Sequence, residues 1–320
     1  MGQVLFIRGG AVGDFVLTMP AMQLIRDTLP DNEIEILGYP GITDLAVATG
    51  LADRDRSIID PKLASFYAPG AELNRTWCDY FSRFDLVVNC LYDPDGFFAA
   101  NLKKAGVKTL VNLPFRPNES ESSLHASLQL AEPLEQVALF LDDPTLKLDY
   151  PSSHTIERQT DGPLVAVHPG SGHASRNWGF ESWGSALGLL AETHPKIEYV
   201  ITSGMAETEI ISEFLTILDE LDLRFTHCDS IPLTDLASVY QQSDYYLGHC
   251  SGIAHLAAST GIPGLLLFGD VDPEVWSPSS KQMKVFQSKS RSLHGISVPE
   301  VLKRIEIPSY SHPSRRDLIF

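Results

Sequence analysis

The residues best suited to chemistry in this sequence are five in a row, Gly248-His249-Cys250-Ser251-Gly252. They separate an apolar stretch from an alanine-rich one, a pattern typical of a strand followed by a helix. The first N–H groups of a helix have no partner within it, so Ser251 and the backbone at Gly252 are predicted to bind an anion such as phosphate. The same pattern fits a nucleophile elbow with Cys250 in the central place, so a cysteine nucleophile is a second candidate.

A glycine-rich loop at residues 8–14 follows the first apolar run. Gly10 and Gly13 permit a tight turn, and Asp14 falls at the predicted start of a helix, where the helix dipole favours a charged carboxylate. Such a carboxylate can accept the proton of an attacking hydroxyl group. An aspartate there can equally cap the helix.

A similar loop at residues 168–178 follows an apolar run in the second half of the chain. It contains Ser171 and Arg176, whose hydroxyl and guanidinium groups could hold a diphosphate. Trp178 is expected to pack in a core.

Composition narrows the class of protein. The chain has 320 residues, which suits two domains, and its 43% hydrophobic and 20% charged residues are typical of a globular protein. Its net charge of −17 argues against a nucleic-acid partner, which requires clustered lysine and arginine.

The cysteines indicate neither a disulfide framework nor a metal centre. The four of them are widely spaced without a C-x-x-C pair, and His249, Cys250 and His255 have no fourth ligand at a recognisable spacing. We therefore expect no metal and no cofactor. No signal peptide or membrane span is recognisable, so the expected location is the cytoplasm.

Short apolar runs alternate with amphipathic stretches, which predicts parallel α/β sheets. Strands are predicted at residues 4–7, 34–37, 85–89, 109–111, 164–167, 199–201, 224–227, 245–247 and 264–268. Helices are predicted around residues 22–29, 183–190, 207–218, 233–241 and 253–260.

Residues 141–162 are polar, contain two prolines and predict an interdomain linker. A terminal helix is predicted to begin at Ser297, with Glu300 completing a capping box. We expect this helix to pack back toward the first domain.

Four segments of the sequence together resemble glycosyltransferase family 9, whose best-known members are the heptosyltransferases of the lipopolysaccharide inner core. The segments are GAVGDFVLTMPAMQLIR, HPGSGHASRNWGFESW, SGMAETEI and GHCSGIAHLAASTGIPGLLLFGDVDPEVWSP, and they occur in the family's order. The resemblance extends from about residue 3 to residue 278 and is weak over residues 50–150, where Trp77, Tyr80, Tyr92 and Asp93 could line a sugar site or simply pack.

The resemblance implies the GT-B architecture, in which two Rossmann-like domains face a cleft. It assigns residues 1–150 to an N-terminal acceptor domain, residues 163–300 to a C-terminal nucleotide-sugar domain and residues 301–320 to a C-terminal tail. It implies inverting, metal-independent transfer of a sugar, with heptose from ADP-heptose the expected donor. The expected partners are this nucleotide sugar and a glycan or glycolipid acceptor, with at most transient contact with a membrane surface.

The family's site residues can be carried over where this sequence matches its motifs. Asp14 becomes the general base, and Gly10 and Gly13 form the loop on the acceptor side. The remaining matches are Ser171, Arg176, Ser251 and Gly252 for the donor diphosphate, Gly204 and Glu207 for the nucleoside, and His255, for which a buried core role is expected. A helix-capping role is equally expected for Glu207, in the first turn of the helix around residues 207–218.

Two departures from the family keep alternatives open. Cys250 stands where members usually carry aspartate, and Arg176 where they usually carry lysine, so the donor could be another nucleotide sugar or the protein could bind one without turnover. A cysteine hydrolase is a further alternative, with Cys250, an acid at Asp270 or Asp272, and His294.

Overall fold

The structure is a computed structural model that describes residues 2–120, 122–151, 154–172 and 176–308. The chain folds as two compact units. The first contains the described residues up to Pro151 together with Glu274–Ser279, and the second contains the others. The division at Pro151 falls inside the segment predicted as a linker, and the described residues of that segment form no helix or strand.

The first unit is built on a parallel sheet of five strands in the order β3-β2-β1-β4-β5. These strands are β1 (Gln3–Arg8), β2 (Glu33–Gly38), β3 (Arg54–Ser57), β4 (Leu86–Asn89) and β5 (Thr109–Asn112). The four predicted strands of this half are confirmed. Since β1 lies in the middle of the sheet, its carboxyl end is where a ligand site is expected in such folds.

Strand β3 was not predicted, because its sequence Arg-Asp-Arg-Ser contains no apolar residue. It lies at the edge of the sheet, where charged side chains are common. Its Arg54 pairs with the buried carboxylate of Glu35 on β2, at 2.6 Å, and Arg83 and the Tyr80 hydroxyl also bind that carboxylate. Ionic pairing to a neighbouring strand therefore replaces the usual apolar signal.

Helices and short 3₁₀ segments surround this sheet. They are α1 (Val12–Thr28), α2 (Asp44–Ala48), α3 (Arg75–Phe81), α4 (Phe97–Lys104), α5 (Ala126–Ala131) and the 3₁₀ segments Pro61–Tyr67 and Glu132–Val137. Helix α1 begins ten residues before the predicted 22–29 stretch and continues through Pro20. The late segment Glu274–Ser279 belongs to this unit because Val275 packs against Leu17, Ala126 and Leu130.

The second unit is built on a parallel sheet of six strands in the order β11-β10-β9-β6-β7-β8. These are β6 (Leu164–His168), β7 (Glu198–Ser203), β8 (Phe225–Asp229), β9 (Tyr245–His249), β10 (Gly264–Phe268) and β11 (Met283–Gln287). The five predicted strands of this half are confirmed, and β11, an edge strand with two exposed residues, was not predicted.

The helices of this part of the chain are α6 (Phe180–Thr193), α7 (Ile211–Glu220), α8 (Leu233–Gln242), α9 (Gly252–Ser259), α10 (Pro273–Trp276) and α11 (Val298–Leu302), with a 3₁₀ segment at Leu293–Gly295. The prediction that a helix begins at Glu207 was wrong, since α7 begins at Ile211. Residues 205–210 form turns, and the Glu207 carboxylate accepts a hydrogen bond from the Gly204 N–H instead of capping a helix.

The terminal helix α11 begins as predicted, with Ser297 and Glu300 forming a capping box. The prediction that it packs toward the first unit was wrong. Val301 is fully buried in the core of the second unit with Trp178 and Trp183. A capping box determines where a helix begins, but the apolar face determines which core it joins.

We expect Val301→Ala to lower the free energy of unfolding of the second unit by about 1–3 kcal/mol, because it leaves a cavity in a close-packed core. Urea unfolding followed by amide exchange of β6 measures this unit separately, which is necessary because two units need not unfold together. Lys303→Ala, an exposed change one residue beyond α11, is the control. Equal effects of the two substitutions would contradict this packing.

Candidate functional site

The first unit has a candidate site of its own, at the carboxyl end of β1. Gly10 has a φ of 98°, and a Cβ atom there would lie 2.8 Å from Oδ2 of Asp14, so only glycine fits. Gly13 is the second residue of α1, and Asp14 is the third. The Asp14 Oδ2 atom accepts a hydrogen bond from the Ala11 N–H at 3.0 Å. Asp14 therefore does cap the helix.

Capping leaves the other carboxylate oxygen of Asp14 available. Among the described residues, Oδ1 has no hydrogen-bond partner, and the side chain is half-buried. A half-buried carboxylate with one oxygen fixed and one available can accept a proton from a hydroxyl group placed beside it. The geometry is thus compatible with both roles that the sequence suggested for Asp14.

Arg8, the last residue of β1, was not predicted to be functional. It is only 1% exposed, and its guanidinium donates to the carbonyl oxygens of Asp14, Cys90 and Phe115. Burial lowers the pKa of Arg8. A charged residue at the end of an apolar strand was the only sequence signal.

A cavity of about 500 Å³ opens at the carboxyl ends of β4 and β5. The aromatic rings of Tyr92 and Phe115 form part of its wall, with centroids 5.7 Å apart, and Arg116 is exposed beside them. The polar lining includes Asn89, Asp93 and Asn112. Of the four residues considered for a sugar site, Tyr92 and Asp93 line this cavity, whereas Trp77 and Tyr80 are buried in the core.

The second unit has a candidate site at the carboxyl ends of β6 and β9. Ser251 is the N-cap of α9, and its Oγ atom accepts a hydrogen bond from the Ala254 N–H at 3.2 Å. The hydroxyl hydrogen remains available for an anion. Gly252 and Ile253 begin the helix, so their N–H groups have no carbonyl partner within it. This arrangement offers the hydrogen-bond donors that the anion site predicted from the sequence would need.

His249 joins this turn to the loop at residues 168–178. Its Nε2 atom accepts hydrogen bonds from the Trp178 backbone N–H at 2.8 Å and from Trp183 Nε1 at 3.3 Å. Nε2 is therefore unprotonated, and the ring hydrogen is on Nδ1. Burial lowers the pKa of His249 to about 3, although the Gly170 backbone opposes this effect. The ring thus remains a neutral acceptor at physiological pH.

Trp178 occupies the core, as expected. Its ring lies edge-on to Trp183, with centroids 4.9 Å apart, and its Nε1 atom donates to the Ile296 carbonyl at 2.9 Å. This places the neighbouring Arg176 at the exposed end of a fixed segment. Residues 173–175 of the same loop lie outside the described residues.

Arg176 lies close enough to Cys250 for its charge to influence the thiol. The cation therefore belongs to the same side of the second unit as the N-terminus of α9. Ser171 donates its hydroxyl to Asn177 Oδ1 at 2.6 Å, so this predicted phosphate ligand is engaged with its own loop.

Cys250 is poorly suited to act as a nucleophile. Burial raises the pKa of its thiol to about 12, Arg176 opposes this and Asp270 adds to it. A nucleophile needs thiolate, and the charged neighbours that influence Cys250 include no histidine. His294, the proposed third member of a hydrolase triad, is exposed in the 3₁₀ segment. Nothing here favours the hydrolase alternative.

The predicted nucleoside residues lie after β7. Glu207 is buried, with Oε2 accepting from the Gly204 N–H at 3.0 Å and Oε1 4.0 Å from His168 Nε2. Burial lowers the pKa of His168, and the Glu207 carboxylate opposes that shift. A Cβ atom at Gly170 would overlap the Glu207 side chain, so glycine is required there. The carboxylate is thus covered by backbone.

One predicted site residue remains, His255. His255 is buried on α9, as expected for a core histidine. In the described ranges, no group of three or more histidine, cysteine, aspartate or glutamate side chains could hold a metal ion. None of the helices there is long and apolar enough to span a membrane.

Comparison with protein families identifies a family for this chain. The model described as glycosyltransferase family 9 (heptosyltransferase) matches residues 109–305, which is more than half of the chain. No curated protein sequence matches.

Solved structures are similar over nearly the whole chain. A family 9 glycosyl transferase from Veillonella parvula DSM 2008 gives a TM-score of 0.74 at 14% identity, covering 94% of this chain and 95% of that one. E. coli heptosyltransferase WaaC with ADP gives 0.72 at 14%, covering 94% and 98%. E. coli ADP-heptose lps heptosyltransferase II gives 0.70 at 14%, covering 94% and 96%. The predicted GT-B fold class, with two parallel-sheet α/β domains, is confirmed.

We expect Cys250 to resist alkylation in the folded protein. At pH 8 a thiol with a raised pKa remains protonated, so iodoacetamide should react at least ~100-fold more slowly than in unfolded protein, where the pKa is about 8.5. Mass spectrometry of the peptide containing Cys250, with and without guanidinium, measures both rates. Rapid modification of the folded protein would restore Cys250 as a candidate nucleophile.

Proposed function

Because the chain belongs to glycosyltransferase family 9, we propose that it transfers heptose from ADP-heptose to a lipopolysaccharide-core or related glycan acceptor, with inversion and without a metal. The names of the similar structures support this donor, since one is WaaC with ADP and another is an ADP-heptose lps heptosyltransferase. Those names describe the other proteins, so the donor and acceptor of this chain are proposals.

The N-terminus of α9 is the observation that carries the proposal. Its unpartnered N–H groups and the Ser251 hydroxyl offer hydrogen bonds to a diphosphate, and Arg176 adds a full positive charge on the same side of the unit. These groups would stabilise the charge that develops as ADP leaves, which is the role a metal ion has in other transferases. Ser171 would join them by exchanging Asn177 for a phosphate oxygen.

In the proposed reaction Asp14 is the general base. Its carboxylate accepts the proton of the acceptor hydroxyl as the hydroxyl oxygen bonds to the anomeric carbon of heptose. The bond from that carbon to the diphosphate oxygen breaks, its electron pair leaves with ADP, and the configuration inverts in this single displacement. The Ala11 N–H fixes one oxygen of the carboxylate and leaves the other to take the proton.

The acceptor is assigned to the first unit. The cavity with Tyr92 and Phe115 presents aromatic faces and amide groups suited to a sugar, and Arg8 binds the carbonyl oxygens of both Phe115 and Asp14. Gly10 and Gly13 keep the loop beside it compact. We further propose that the enzyme works in the cytoplasm and touches a membrane surface only transiently, since a net charge of −17 opposes binding to anionic lipids.

The nucleoside is assigned to Gly204 and Glu207 in the second unit. The Glu207 carboxylate is covered by the backbone at Gly170, so a ribose diol would reach it only after a local shift of that loop. A second candidate function keeps glycosyl transfer but changes the donor. It is favoured by Cys250, whose neutral thiol leaves Arg176 without the carboxylate that family members usually place there.

We expect Asp14→Asn to lower kcat by roughly 10²–10⁴-fold, because the amide retains the helix cap but cannot accept a proton. ADP-heptose binding should be unchanged. Radiolabelled heptose transfer measures the first quantity and thermal stabilisation by the nucleotide sugar the second. Asp27→Asn, which changes another carboxylate of α1 that accepts a side-chain hydrogen bond, is the control and should leave kcat intact. Unchanged turnover of Asp14→Asn would remove the base role.

We expect Arg176→Ala to weaken ADP-heptose binding by about 10–100-fold, because a charge-assisted hydrogen bond contributes about 1.5–3 kcal/mol. Arg176→Lys should lose less, since it retains the charge. Calorimetric titration with ADP-, UDP- and GDP-sugars measures the affinities and identifies the preferred nucleotide. Lys281→Ala removes an exposed cation elsewhere in the unit and serves as control. Tight binding without turnover on any acceptor would instead indicate a non-catalytic binding protein.

A further inference from the structure

The buried Arg8 side chain forms four hydrogen bonds, all of them to backbone carbonyl oxygens. Nε and Nη2 donate to the Asp14 carbonyl at 3.2 and 2.8 Å, and Nη1 donates to the carbonyls of Cys90 at 3.1 Å and Phe115 at 3.0 Å. In the described part of the chain, Arg8 forms no ion pair within 4.0 Å. A buried cation is costly unless it is fully hydrogen-bonded, so these carbonyls hold the group in place.

The three carbonyls come from separate parts of the first unit. Asp14 belongs to the first turn of α1, Cys90 follows β4, and Phe115 follows β5. The Phe115 ring also lies over the Arg8 guanidinium, 5.4 Å from its central carbon. One side chain therefore connects the turn that carries the carboxylate to the segment that lines the cavity.

We propose that Arg8 is a positioning residue, which holds the Asp14 turn and the Phe115 segment in a fixed relation so that an acceptor bound in the cavity meets the carboxylate. This inference rests on the proposed function. The rigid planar fork of arginine is what allows one group to reach three carbonyls, and the ammonium group of lysine has a different geometry. Arg8 acts through the main chain and does not itself touch the acceptor.

The test compares Arg8→Met and Arg8→Lys with Arg26→Met. Arg26 is a suitable control because it is also partly buried, lies on α1, and binds the Asn32 carbonyl and Asp53 at the other end of the helix. The substitution Arg26→Met should destabilise the same helix without removing any contact of Asp14. The probes are ADP-heptose and lipopolysaccharide with a truncated inner core, and melting temperatures are measured for all variants.

We expect Arg8→Met to lower kcat by ~100-fold and to raise the KM of the acceptor, because a small misplacement of reacting groups has an effect of this size. The KM of the donor should stay within about twofold, since a positioning effect in the first unit leaves the donor residues intact. Arg8→Lys should be intermediate. Arg26→Met should retain kcat at a similar loss of melting temperature. Equal losses of kcat in Arg8→Met and Arg26→Met would overturn the proposal, as would an unchanged kcat in Arg8→Met.

Amide hydrogen exchange separates this proposal from the proposed function. Arg8→Met should accelerate exchange at residues 15–18 of α1, whereas Arg26→Met should accelerate it near the end of the helix. Unchanged protection at residues 15–18 would refute the positioning role even if transfer were lost. If the wild-type protein transfers no heptose to this acceptor, the proposed function fails, while the exchange experiment still decides the role of Arg8.

Discussion

The candidate site in each unit depends on one buried polar side chain whose hydrogen bonds reach other parts of the same unit. Arg8 ends the central strand of the first sheet and His249 ends an inner strand of the second. The Arg8 guanidinium contains only donors, so it binds carbonyl oxygens. The neutral His249 ring offers an acceptor at Nε2, which binds N–H groups of Trp178 and Trp183. Arg8 thereby holds the segments that follow β4 and β5, and His249 holds the loop that contains Trp178.

Seven of the nine correctly predicted strands are almost entirely buried, and the other two, β5 and β8, lie at sheet edges. Strands such as β6 and β10 are short, mostly apolar runs, a pattern typical of buried strands in parallel sheets. Strand β3 was not predicted, because its stabilising contacts are ionic. The contact of Arg54 with Glu35 joins residues 19 apart in the sequence. The start of helix α11 could be predicted, because its capping box is formed by residues close in the sequence. Its packing could not, because its partners, including Trp178, are distant in the chain.

The loops of the site were predictable because glycines and caps act locally. Gly10, Ser251 and Gly252 occupy the turns that their residue types indicated. The residues that hold these turns were not predictable, because Arg8 binds carbonyls 82 and 107 residues away, and a backbone carbonyl has the same chemistry in every residue type. The burial of Glu207 was likewise invisible, since it depends on the absence of a side chain at Gly170.

The hydrogen bonds of Arg8 also limit which sequence changes this fold can accept. Its hydrogen bonds at positions 90 and 115 are to the main chain, so a substitution of the partly buried Phe115 can preserve them although it removes the ring over the guanidinium. An insertion or deletion that displaced either carbonyl would instead leave the buried guanidinium without a hydrogen-bond acceptor. Around the cavity of the first unit, evolution is therefore free to exchange side chains and tune recognition, but it must conserve the path and length of the backbone that bears them.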